Sequence, residues 1–147
     1  MNRLQQFGWL LTLLVLTVIS ANSYAQQSRQ LGPWEVHYNA FNSTLLRPEM
    51  AQQYNLGRSE TLATLNIAVL DTTRPGKPAQ QVEITGYVMN PLSQQQRLTF
   101  QEIREGDAIY YLAQTRFSHL ETLRFFVTVK QGEQSHELRF HKEFWAN

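Results

Sequence analysis

The chain has 147 residues and carries 13 lysines and arginines against 12 aspartates and glutamates, with no cysteine. No stretch has the clustered basic charge that binding to nucleic acid or anionic lipid requires, so we expect no nucleic-acid partner. The absence of cysteine excludes disulfides and a lipid-bearing cysteine, so the domain must be stabilised by core packing.

The first 25 residues have the three parts of a secretory signal peptide in the right order. Arg3 supplies the positive charge, an apolar run spans residues 10–19, and small residues predict cleavage between Ala25 and Gln26. A retained membrane anchor is the alternative. It is disfavoured because residues 7–21 span only about 22 Å of a hydrocarbon core about 30 Å thick. We therefore predict export with no stable membrane anchor.

Beyond the polar residues 26–32, predicted to be a flexible lead-in, apolar and polar residues alternate along most of the chain. Such alternation is typical of strands with one buried face. It runs through residues 34–38, 65–69, 82–88, 98–100, 123–129 and 138–140. Residues 109–112 are continuously apolar, which predicts a central strand covered on both faces. Gly106 and Gly132 lie in breaks where short hairpin turns need a positive φ.

One segment, residues 48–54, is predicted to form a short helix. Pro48 suits the first helical position, because the missing N–H would have no partner there. Met50, Ala51 and Tyr54 share one face of this helix through their i, i+3 and i+4 spacing. We expect that face to cap an open end of the domain.

About seven strands within residues 33–147 predict a single all-β domain. The expected architecture is an antiparallel two-sheet sandwich with an immunoglobulin-like outline, and a small barrel is the alternative. The Cys…Trp…Cys pattern of antibody domains is missing, so this likeness is one of architecture.

Common catalytic signatures are missing, including the nucleophile elbow, the zinc-protease helix and the glycine-rich phosphate loop. We therefore predict no catalytic residues and no cofactor, and favour a protein that is not an enzyme. The alternative is an enzyme whose site is assembled across loops from Arg58, His37, Tyr38 and Glu105.

A metal-handling protein is a further alternative. His37, His119 and Met50 or Met89 are suitable ligand types for copper or zinc. The four histidines of the chain lack the spacing of a metal motif, however, so we favour surface or hydrogen-bonded imidazoles and predict no metal ligands.

Two sets of residues are candidate binding groups. Tyr87, Phe126 and Trp145 fall on the predicted outward face of their strands and form a stripe if those strands are neighbours. Ordinary cross-strand packing is the alternative interpretation. The second set lies in the long segment 37–59, and its members are His37, Tyr38, Asn39, Tyr54 and Arg58. The guanidinium of Arg58 suits either a ligand carboxylate or the anchoring of this helix-bearing crossover.

The same segment contains His-Tyr-Asn and Arg-Ser elements at a fairly specific spacing, and further matching residues continue to position 127. The matching residues are His37, Tyr38, Asn39, Ala40, Phe41, Leu46, Pro48, Glu49, Ala51, Tyr54, Arg58, Ser59, Leu65, Asn66, Ile67, Phe100, Ile103, Glu105, Ala108, Ile109, Tyr110, Tyr111, Phe125 and Val127. Through them the chain resembles the bacterial exported domain-of-unknown-function family numbered 4426. The resemblance implies a periplasmic protein of Gram-negative bacteria, and it supplies neither a substrate nor catalytic residues.

We therefore expect a soluble periplasmic binding or accessory module that acts through a sheet face or an edge strand. Its partner is expected to be another periplasmic protein or a small molecule. A metal-handling protein and an enzyme built around Arg58 and His37 are the alternatives.

Overall fold

The computed structural model describes residues 27–146, so the predicted signal peptide and its cleavage site lie outside the described residues. The elements in chain order are β1 (Gln27–Leu31), β2 (Trp34–Asn42), a 3-10 turn (Ser43–Leu45), α1 (Pro48–Gln53), β3 (Leu62–Asp71), β4 (Glu83–Met89), β5 (Gln95–Leu98), β6 (Gln101–Glu105), β7 (Ala108–Arg116), β8 (Glu121–Gln131) and β9 (Gln134–Phe144). No helix within this part of the chain is both long and apolar enough to cross a membrane.

The strands form two antiparallel sheets, one with the order β1-β2-β3-β7-β6 and the other with the order β5-β4-β8-β9. The apolar residues of the alternating strands face each other between the sheets and form one core. Val36 and Ile67 of the first sheet and Val127 and Leu138 of the second are completely buried there. The predicted all-β antiparallel sandwich is therefore confirmed.

Strand β7 is buried on both faces, as its continuous apolar run predicts. It lies between β3 and β6 in the five-stranded sheet. Tyr111 points into the main core and Leu112 points to the opposite face, yet each is only 3% exposed. The outer face of this sheet must therefore be covered by another part of the chain.

The crossover of residues 43–60 provides this cover. The side-chain amide of Gln114, on the outer face of β7, accepts a hydrogen bond from the Gly57 N–H and donates one to the Gly57 carbonyl, both at 2.9 Å. Leu46 and Ala51 of the crossover are buried outside the main core. The outer-face Leu112 needs such cover over the sheet itself. The expectation that the helix caps an open end of the domain stays a prediction.

The predicted flexible lead-in is instead a paired strand in most of its length. Gln27 lies opposite Tyr38 and Leu31 lies opposite Trp34, so β1 forms one edge of the five-stranded sheet. A guanidinium N–H of Arg29 also donates to the Arg139 carbonyl at 2.7 Å. The polar sequence of this strand lacks the apolar alternation from which strands are predicted. An edge strand can form without it, because backbone hydrogen bonds hold the strand and no face has to be buried.

Two local features refine the strand assignments. The predicted strand at 98–100 is divided, because β5 ends at Leu98 in one sheet and β6 begins at Gln101 in the other. The chain therefore crosses between the sheets at residues 99–100. Gly106 and Gly132 both have φ near 57°, which confirms the predicted turns.

Candidate functional site

His37 lies on the outer face of β2, within a short chain of hydrogen bonds. Its Nε2 is 2.6 Å from Oε1 of Glu35, and Oε2 of the same carboxylate is 2.9 Å from Nζ of Lys77. Hydrogen bonds from Lys77 and His37 hold the pKa of Glu35 below its usual value. The His37 imidazole is therefore hydrogen-bonded to a carboxylate on the same face of the sheet.

Tyr38 points in the opposite direction, into the sandwich. Its side chain is 6% exposed, and its ring centroid is 4.5 Å from that of Phe140. The guanidinium of Arg29 covers the ring at 5.8 Å. Because adjacent residues of a strand face opposite sides of the sheet, His37 and Tyr38 do not share a site.

Arg58 and Tyr54 lie in the crossover, where both contribute to its conformation. Tyr54 is the C-cap residue that follows the last residue of α1. Nη2 of Arg58 donates to the Thr44 carbonyl at 3.0 Å, and the Ser43 hydroxyl donates to the Ser59 carbonyl at 2.9 Å. These bonds join the two ends of the crossover, which matches the anchoring interpretation of Arg58.

We expect Arg58→Ala to lower the free energy of unfolding by about 1 kcal/mol, because an exposed hydrogen bond to a backbone carbonyl is lost. Thermal unfolding should then shift downwards by about 4 °C. Arg47→Ala is the matched control, since Arg47 lies in the same crossover and makes no side-chain capping bond. Equal melting temperatures for the two variants would contradict the anchoring role.

Three of the residues proposed as metal ligands contact other groups. Nδ1 of His119 accepts a hydrogen bond from the Ala146 N–H at 3.1 Å, and Sδ of Met89 lies 2.8 Å from Nη2 of Arg124. His37 is bonded to its neighbouring carboxylate. Within residues 27–146, no three or more His, Cys, Asp or Glu side chains are grouped so that they could hold a metal ion.

The enzyme alternative requires four residues to meet in one pocket. Arg58 instead bonds within the crossover, His37 lies on the outer face of β2, and Tyr38 faces the core. Glu105 ends β6, where it is paired with Ala108 in the strand register. No side-chain hydrogen bond or ion pair joins any two of the four within the described chain. They therefore form no common site.

Four side chains form a row across the outer face of the four-stranded sheet. The register places Tyr87 of β4 opposite Arg97 of β5 and opposite Phe126 of β8. Phe126 in turn lies opposite Arg139 of β9. The rings of Tyr87 and Phe126 are stacked, with centroids 4.7 Å apart and planes inclined by 11°. We call Arg97, Tyr87, Phe126 and Arg139 the aromatic row.

The aromatic row carries positive charge at both ends. The guanidinium carbons of Arg139 and Arg124 lie 5.5 and 5.9 Å from the Phe126 ring centroid, within the range of cation–π attraction. Nε of Arg139 is 2.5 Å from Oε1 of Glu137, and this carboxylate raises the pKa of Arg139. Neither Arg97 nor the neighbouring Arg124, which lies outside the row, forms a salt bridge within residues 27–146, so the row together with Glu137 keeps a net positive charge. The row lines a shallow groove of about 520 Å³.

Trp145 does not join the aromatic row. It follows the end of β9 and lines a separate groove with Asn39 and Leu45. Its position on alternate residues of β9 predicts the same face as Phe126, but the strand has ended before this residue. The predicted stripe is therefore correct for Tyr87 and Phe126 and wrong for Trp145.

Sequence reasoning missed Arg97 and Lys142. Alternation with the buried Leu98 places Arg97 on an outward face, but only the register of β5 against β4 brings it opposite Tyr87. Lys142 stands on an inward-facing position of β9, where its ammonium donates to the Ala40 carbonyl of β2. A lysine at a position predicted to be apolar is the signal that would have identified it.

Solved structures of other proteins share this architecture. A protein of the DUF4426 family from Pseudomonas aeruginosa PAO1 is 33% identical, with a TM-score of 0.72 over 82% of this chain and 95% of that chain. FetP from uropathogenic E. coli strain F11, expressed in the periplasm of E. coli, gives a TM-score of 0.56 at 10% identity, covering 84% of this chain and 95% of FetP. A copper-bound variant of FetP gives 0.57 at 11% identity, covering 84% and 97%. The likeness to FetP is one of fold.

No curated protein matches the sequence. The profile of the family described as a domain of unknown function, DUF4426, matches residues 28–147, which include every residue of the sandwich except the first of β1. The predicted family resemblance is thereby confirmed. The chain belongs to the DUF4426 family.

Proposed function

We propose that this chain is an exported binding module whose partner contacts the aromatic row. The observation that carries the proposal is the stacked pair of Tyr87 and Phe126 held between Arg97 and Arg139 on an outer sheet face. Tyrosine and arginine dominate the energetics of protein interfaces, because both combine a large apolar surface with directed hydrogen bonding.

The charge of the row indicates the chemistry of the partner. Among the described residues Arg97 and Arg124 form no salt bridge, and Arg139 is paired with Glu137. A protein surface bearing carboxylates would pair with these guanidinium groups while an apolar or aromatic side chain covers Phe126. We therefore propose a protein partner with an acidic contact surface.

We also propose that this interaction takes place in the periplasm. The signal peptide predicted at residues 1–25 supports export, and the family resemblance supports the periplasm as the destination. Cleavage between Ala25 and Gln26 would release the domain from the membrane, so its partner would be met in the periplasmic space.

The proposal is tested by affinity capture with the exported protein and variants of the aromatic row. We expect the double variant Tyr87→Ala, Phe126→Ala to lose at least about tenfold of the captured partner, because truncation of interface anchors typically costs 2 kcal/mol or more. Leu92→Ser is the matched control, since Leu92 is 79% exposed in the turn that follows β4 and lies outside the row. Undiminished capture by the double variant, with its fold intact by circular dichroism, would overturn the proposal.

Metal handling is the second candidate function. Its support is the fold shared with FetP, for which a copper-bound variant is known. Elemental analysis of the purified protein after dialysis decides it. Less than about a tenth of an equivalent of bound copper or zinc would remove this candidate, and the capture experiment would be unaffected.

A further inference from the structure

A second groove lies away from the aromatic row, where β2 runs into the 3-10 turn and β9 ends. Its volume is about 620 Å³, which is within the range of small-molecule sites. Most of its exposed surface comes from apolar atoms, although five of its nine lining residues are polar, Asn39 and Lys142 among them. The principal apolar residues are Phe41, Leu45, Phe144 and Trp145.

Two apolar side chains of this groove are unusually accessible. Leu45 is 66% exposed and Trp145 is 55% exposed, and both belong to the small set of large exposed hydrophobic residues in the described chain. They come from distant parts of the sequence and line the same groove. Contiguous exposed apolar surface of this kind is typical of binding sites.

Lys142 supplies a positive charge between this groove and a neighbouring one. The two grooves share Asn39 and Lys142. The Lys142 ammonium donates to the Ala40 carbonyl and lies 5.6 Å from the Phe144 ring centroid. An ammonium has three donors, so two remain for a further partner. Burial lowers the pKa of Lys142.

No carboxylate of residues 27–146 forms an ion pair with Lys142. Glu143 also lines the groove, but alternation places it on the opposite face of β9, and its oxygens are beyond salt-bridge distance of the ammonium. The Asn39 amide makes no side-chain hydrogen bond within the described chain. A cation beside an apolar groove is complementary to a molecule that has a carboxylate and an apolar body.

We propose that this groove binds small amphipathic carboxylates. Lys142 would form an ion pair with the carboxylate, and the side chains of Leu45 and Trp145 would cover the apolar body. A medium-chain fatty acid is the simplest member of this class. The site is independent of the aromatic row, since the two surfaces share no residue.

Isothermal titration of the purified protein with decanoate, below its micellar concentration, tests the site. We expect saturable binding that Lys142→Gln weakens at least fivefold, because a charge-assisted hydrogen bond is lost. Decanamide has the same apolar body without the charge and should bind equally to the wild type and to Lys142→Gln. Glu143→Gln is the matched control, and its decanoate affinity should be unchanged or higher, because a like charge is removed from the rim.

A separate variant tests the apolar walls. Leu45→Ser should weaken both decanoate and decanamide, whereas the aromatic-row variant Phe126→Ala should leave both unchanged. The proposal is overturned if decanoate does not bind, or if Lys142→Gln binds it as tightly as the wild type does. Since neither readout uses the protein partner, these results are distinguishable from failure of the aromatic-row proposal.

Discussion

Phe125→Ala is expected to lower the free energy of unfolding by about 3–5 kcal/mol, the largest effect of any single change considered for this domain. Phe125 is 1% exposed, and its ring is stacked on Phe140 with centroids 4.7 Å apart. It also packs edge-on against Phe144, with ring centroids 6.4 Å apart. Alanine would leave a cavity that these two aromatic rings, both anchored in β9, cannot fill by a small shift.

The adjacent residue provides the control for this prediction. Phe126→Ala removes the same number of atoms, but Phe126 lies on the outer face and is only partly buried. We expect it to cost about 1 kcal/mol, mainly through the lost stacking on Tyr87. Urea unfolding of both variants measures the difference, and equal midpoints would contradict the assignment of inner and outer faces of β8.

Gly86→Ala is expected to destabilise the domain by about 1–3 kcal/mol and to weaken binding at the aromatic row. A Cβ atom at Gly86 would lie 2.6 Å from the Phe126 carbonyl oxygen and 3.3 Å from Cα of Val127. Both atoms belong to the backbone of β8, so β4 must move away from β8 to relieve the contact. This movement would separate Tyr87 from Phe126. The close spacing of β4 and β8 at Gly86 therefore also maintains the aromatic stacking on the outer face.

Gly57→Ala is the matched control for this change. Its Cβ would lie 2.7 Å from Cδ2 of Leu62, but this atom is the end of a flexible side chain. We therefore expect a smaller loss of stability and unchanged partner capture. Urea unfolding and the capture experiment measure both effects, and Gly86→Ala with wild-type stability would show that β4 and β8 tolerate a wider spacing.

Much of the fold was predictable because its signals are local. Alternating residues identified most strands, and the continuous apolar run of residues 109–112 identified β7 as covered on both faces. The signals were insufficient for β1, where Gln27–Leu31 is polar and relies on backbone pairing. They also did not indicate where α1 packs. An apolar face predicts that one side of a helix is buried, but it does not identify the surface that covers that side.

The candidate sites were predictable only in part. Alternation placed Tyr87 and Phe126 on outward faces, but their contact depends on the pairing of β4 with β8. His37, Tyr38 and Arg58 are near one another in the sequence and were proposed together for that reason. In the fold they are separated, because strand alternation turns His37 and Tyr38 to opposite faces and the crossover engages Arg58.

By itself the sequence determined the family, the strand-rich character of the domain and the face on which most strand residues lie. These properties depend on short-range periodicity and turn chemistry. Only the tertiary structure decided which strands are neighbours, that Arg97 ends the aromatic row, and that Lys142 reaches Ala40 across 102 positions of sequence. Strand order and register depend on long-range packing between the sheets, and a local pattern is compatible with many such arrangements.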